Sequence, residues 1–119
     1  MRNFGGNRGY VYHIAETDLD GTGSPTTSIT IDETVEPMIH LTDDHQIDID
    51  ALTATVGTVT VEFLPYGSLT WKTLKNSTGA DVALDLASPY PTSVRAYVSA
   101  LRLTVNGANG TWGFSLVGK

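Results

Sequence analysis

The chain contains no cysteine. No disulfide, thiolate ligand or thiol nucleophile can be built from it. Long apolar runs are missing too. The opening Met1-Arg2-Asn3-Phe4-Gly5-Gly6 has no apolar segment of the kind a secretion signal needs, and nowhere are there enough consecutive apolar residues to span a bilayer. We expect no cleaved leader, no membrane span and synthesis in a cytoplasm. Basic charge is scarce: 7 Lys and Arg stand against 13 Asp and Glu, a net charge of −6, with no basic run. Nucleic acid is therefore not an expected partner, because phosphates are met by clustered positive charge. Helical periodicity is weak everywhere, and Ser93 to Ala100 is the best helix candidate. There is no Gly-x-Ser-x-Gly elbow and no glycine loop opening a helix, so no enzyme and no cofactor are expected.

What remains is a chain rich in strand signals. Its 119 residues make one domain, and 40% of them are apolar, enough for one two-layer core. The stretch Gly57 to Leu74 organises the reading. Val59, Val61 and Phe63 alternate with Thr58, Thr60 and Glu62, the period of a strand with one buried face. Pro65-Tyr66-Gly67-Ser68 is a turn, and Leu69 to Leu74 reads as the return strand of a hairpin, with Leu69 and Trp71 on its apolar face. Alternation fails between Trp71 and Leu74, as a bulge or a strand buried on both faces would explain.

Residues 1–9 carry Gly5, Gly6 and Gly9 and read as a flexible arm. Strands are expected at Tyr10–Ala15, Thr27–Asp32, Met38–Leu41 and around Ile47 and Ile49. Further ones are expected over Ala80–Leu86, around Leu101–Val105 and over Thr111–Leu116. Asn106 to Gly110 is the strongest turn signal and reads as the tip of a closing hairpin. The expectation is an all-β protein: an antiparallel β-sandwich or jelly roll of about eight short strands spanning residues 10–119 behind the arm. Val59, Val61, Phe63, Trp71, Leu84, Leu103, Trp112 and Phe114 are the expected core.

Charge is divided unevenly. Residues 1–56 hold ten acidic and two basic residues, a charge of −8, and residues 57–119 carry +2. Complementary surfaces between subunits would use such a division, although strands and loops alone produce it as well.

Several groups invite chemistry. Asp18-x-Asp20-Gly21 looks like the start of a calcium loop, but Ile29 stands where the loop's closing Glu is needed. His40, Asp43, Asp44 and His45 are close together, yet their spacing matches no metal motif, and no metal is expected. Protonation of His40 or His45 at a subunit contact would alter it near pH 6. Asp48 and Asp50 share one strand face directed at water, with nothing to make them a glycosidase pair. Asn76-Ser77-Thr78 and Asn109-Gly110-Thr111 are formal glycosylation sequons read as turns. Among the aromatics, Tyr66, Trp71, Tyr90, Tyr97 and Trp112 could form a sugar platform. Trp71 and Trp112 fall on apolar strand faces, so Tyr66 and Tyr90, in turns, are the better binding residues.

Residues 57–118 are similar to a known group. Val59-x-Val61-Glu62, then Gly67 and Trp71, then Arg102-x-Thr104-Val105-x-Gly107-x-x-Gly110-Thr111 resembles the pattern of small β-sandwich virion proteins of tailed bacteriophages. The resemblance implies a structural protein of the particle, foremost a capsid decoration (cement) protein that binds across capsomers. A tail or fibre-attachment component, or an adhesion module that binds carbohydrate, are the alternatives. Its partners would be the major capsid protein or other virion proteins, its own state a dimer or trimer, and its location the virion. The expected interface residues are Arg2, Asn3, Phe4 and Arg8 on the arm, with Tyr66 and Tyr90.

Overall fold

The computed structural model describes residues 10–13, 26–51 and 53–119. The expected arm and the Asp18–Asp20 loop lie outside the described residues, as do Arg2, Asn3, Phe4 and Arg8. Nine strands are described: β1 (Tyr10–His13), β2 (Thr26–Ile31), β3 (His45–Asp50), β4 (Thr58–Pro65), β5 (Lys72–Thr73), β6 (Ala83–Asp85), β7 (Thr92–Val94), β8 (Val98–Asn106) and β9 (Gly113–Gly118). They form two antiparallel sheets, one in the order β1-β9-β3-β7 and the other β2-β8-β4-β5, with β6 also paired to β4. The protein is an all-β sandwich.

Alternation decides which side chains meet. In β3, His45, Ile47 and Ile49 point inward and Asp48 and Asp50 outward. Ile47 and Ile49, with Phe114 and Leu116 of the neighbouring β9, meet Val59 and Val61 of β4 and Leu101, Leu103 and Val105 of β8 from the other sheet in one cluster. Trp112, immediately before β9, is fully buried, its ring centroid 6.4 Å from that of Phe114. Leu84 is also fully buried, while Phe63 is partly buried against the cluster.

Four sequence expectations are corrected. Met38–Leu41 is not a strand: Ile39–Leu41 forms a 3-10 turn after Pro37, its amides bonded back to Glu36 and Met38, and Ile39 plugs the core. Ser93–Ala100 is not helical; it supplies the end of β7 and the start of β8. The hairpin return strand shrinks to Lys72–Thr73, and Leu69 is 98% exposed. The cause is local, since Ser68 donates its amide to Pro65 and its hydroxyl accepts the Thr70 amide, holding the chain in a turn. Trp71 consequently stands outside the core, half-buried on the outer sheet face, with the Arg102 guanidinium 4.2 Å from the centre of its ring.

The fourth correction concerns the closing hairpin. β8 pairs with β2 and β4, whereas β9 pairs with β1 and β3, so Asn106–Thr111 crosses from one sheet to the other. The crossover is fastened sideways to residues 53–56. The amides of Thr53 and Ala54 donate to the Thr111 carbonyl, and those of Thr55 and Val56 to the Asn109 side chain. Gly110 is pressed so close that a Cβ there would lie 2.7 Å from the Thr53 hydroxyl.

Candidate functional site

Register defines one end of the sandwich. Ile31 lies opposite Leu101, Pro65 opposite Val98, and His45 opposite both Val94 and Gly118. The segments that leave these residues therefore share an end: 32–44, 66–71 and 95–97. Seven large apolar side chains are exposed among the described residues, and five of them, Val35, Leu41, Tyr66, Leu69 and Tyr97, are on these three segments.

The loops are tied to one another. Tyr66 donates its amide to the Tyr97 carbonyl at 3.0 Å, joining the β4 turn to the β7–β8 loop. Its ring stacks on His40, centroids 5.7 Å apart and planes 17° apart, joining the turn to the 32–44 segment. Gly67 takes φ +81°, the conformation that a Pro-x-Gly turn requires and that a side chain resists. Leu69 is thus projected from a braced turn. Beside Tyr97 lies a shallow cleft of about 420 Å³ lined by Asp43, Asp44, Arg95 and Ala96. Apolar side chains next to a mixed-charge rim are the composition of a protein-binding surface.

His45 anchors the base of this end. It is fully buried, and its Nε2 is 3.1 Å from the Ala96 carbonyl, which can only accept. Nε2 therefore carries the proton; Nδ1 lies 3.3 Å from the Thr42 hydroxyl, which is also placed to donate to the Ile39 carbonyl at 3.4 Å. Burial pushes the His45 pKa below its ordinary value of 6.5, against the opposing pull of hydrogen bonding to the Ala96 and Thr42 backbone and of Asp44 and Asp43. The unfolded chain then binds a proton more readily than the folded one. Stability contributed by neutral His45 should be intact above about pH 6.5 and decline as pH falls toward the lower folded value. Urea melts at stepped pH check this: His45→Gln should lose that slope, and an unchanged slope would remove His45 as its source.

The expected binding residues separate. Tyr66 is 61% exposed and belongs to this end. Tyr90 is exposed as well, but on the connection that leaves β6 where Asp85 faces Thr58, the far end of β4 from Tyr66. Sequence reasoning missed Leu69 and left Tyr97 out of the binding set. No local pattern marks either one, because what brings them beside Tyr66 is the pairing of strands distant in sequence. The His40–His45 group divides: His45 turns inward while His40 stacks on Tyr66. Among the described residues no group of three or more His, Asp and Glu is placed to hold a metal. No described helix is long and apolar enough to cross a membrane.

No family model and no curated protein matches this chain. A solved structure titled "Crystal structure of PirA" is similar over 94% of this chain and 93% of that one, at 12% identity and a TM-score of 0.35. A likeness at that level carries no argument about fold or function.

Proposed function

We propose that this protein is a non-catalytic structural subunit that works by docking, and that it serves as a decoration protein of a bacteriophage particle. The observation that carries the docking reading is the gathering of five exposed apolar side chains on three mutually braced loops at one end. Isolated apolar residues on a surface need no explanation, but a clustered and rigid group does. The particle is suggested by the resemblance of residues 57–118 to phage virion sandwiches. In this reading the loop end seats on the capsid shell, with Tyr66 and Leu69 as anchors and Asp43, Asp44 and Arg95 on the rim. Two or three copies of the chain would assemble at each site.

The test is rebinding of recombinant protein to particles stripped of it. Tyr66→Ala and Leu69→Asp should each weaken binding by about 30-fold, the equivalent of a hot-spot loss of about 2 kcal/mol. Leu69 is almost fully exposed, so its variant should melt within about 0.5 kcal/mol of the parent, while Tyr66→Ala also loses the stack on His40 and should cost about 0.5–1.5 kcal/mol. Full rebinding of both variants would show that another surface makes the contact. Labelled copies spread over the shell support the decoration role, and copies confined to the tail would replace it with a tail component.

A further inference from the structure

A second surface feature lies on the outer face of the five-stranded sheet, beside the loop end, and the docking reading does not use it. It is a groove of about 330 Å³ with Trp71 and Leu64 as its apolar walls. Ala100 lies at its floor. By alternation Ala100 shares the outward face with Arg102 and Thr104, yet it is only 4% exposed. The register shifts here, because Leu64 pairs with Ala100 while Pro65 pairs with Val98. Ser99 is the extra residue of this bulge and lines the groove too. Bulges of this kind re-aim side chains next to binding sites.

Trp71 is held in place before any ligand arrives. The Arg102 guanidinium covers one face of the ring, and two hydrogen bonds of 3.0 Å each to Glu62 fix the guanidinium. The polar wall carries Asp32 and Glu33 with the hydroxyl residues Thr30 and Thr34. The Asp32 carboxylate accepts the hydroxyl and amide of Thr34, which hold it in its ionised, accepting form.

This combination selects a ligand class. Two carboxylates repel an anion, which disfavours phosphate and acidic sugars. An organic cation would meet one aromatic ring already engaged by a guanidinium, not a cage. A purely apolar ligand would leave the carboxylates desolvated and unpaired. A neutral pyranose satisfies both walls: its C–H face lies on the indole and its hydroxyls donate to the carboxylates. We propose that this groove binds a neutral hexopyranose unit of a glycan, with Trp71 as the platform and Asp32 and Glu33 as acceptors. The groove borrows Asp32, Glu33, Thr34 and Trp71 from two segments of the docking end but uses neither of its anchors, Tyr66 and Leu69, so the two readings are tested by different side chains.

The chain has two tryptophans, and Trp112 is fully buried, so Trp71 is the indole that an added ligand can reach. The test titrates the full chain with neutral oligosaccharides of glucose, galactose, mannose and N-acetylglucosamine to millimolar concentration, reading intrinsic fluorescence, beside a glycan array that includes sialylated members. At least one neutral glycan should give a saturable change. Its binding on the array should fall at least about tenfold in Trp71→Ala and in Glu33→Gln, and persist in Trp71→Phe and Leu69→Asp. Glu33 is exposed, so its variant keeps the test open if Trp71→Ala fails to fold. No saturable binding of any neutral glycan, preference for the sialylated ones, or undiminished binding by Glu33→Gln would overturn the proposal.

Discussion

Trp112→Ala is expected to destabilise the protein by about 3–5 kcal/mol, the usual loss for a large aromatic removed from a closed core. A single domain has only about 5–15 kcal/mol in total, so this one change removes a large share of it. Trp112 is fully buried and packs beside Phe114 where the crossover enters β9. Truncation would leave a void that the fastened segments 53–56 and 106–111 cannot collapse into. A second variant separates volume from polarity. The indole Nε1 is buried and has no hydrogen-bond partner among the described residues. An orphaned donor of this kind costs about 1–3 kcal/mol. Trp112→Phe removes it while keeping a ring, so its cost should be much smaller than that of alanine. Chemical denaturation of both variants measures the difference, and equal losses would contradict the packing account.

Gly57→Ala should be nearly as damaging, at about 3 kcal/mol, from strain and overpacking together. Gly57 has φ +133°, a region that side chains rarely enter. A Cβ there would also lie 2.9 Å from both the Ala108 Cα and the Leu86 Cδ1. The Gly57 carbonyl accepts the Leu86 amide, which holds the backbone in place. Gly67→Ala is the internal control, because it has a positive φ but nothing within 4 Å of the added carbon. It should lose only about 1–2 kcal/mol, the strain alone. Matched denaturation curves decide the point: if the two substitutions cost the same, close packing at Gly57 contributes nothing.

Strands with clean alternation are legible from the amino-acid order alone. β3, β4 and β9 each show apolar residues every second position, and each turns that set to the core, with Phe63 of β4 only partly buried. The partition of strands between sheets is not legible in this way. Asn106–Gly110 reads as a hairpin tip because Gly and Asn tolerate turn conformations, and that tolerance is equally needed by a crossover. What separates the two is bonding to residues 53–56, far away in sequence, which no local pattern reports. Trp71 shows the same limit from another side. A large apolar residue on an expected strand reads as core, but a guanidinium on the outer face provides a competing partner through its attraction to the ring. Of the loop end, Tyr66 is visible as an aromatic in a turn. Tyr97 and Leu69 join it only through the register that puts three separate segments at one end.

If that end is the working surface, hydroxyl-radical footprinting of free and particle-bound protein will show it side chain by side chain. Tyr66, Leu69 and Tyr97 should be strongly labelled in the free protein and protected on the particle, while Tyr90 and Val56 are labelled equally in both. Unchanged labelling of Tyr66, Leu69 and Tyr97 on the particle, with protection elsewhere, would contradict it.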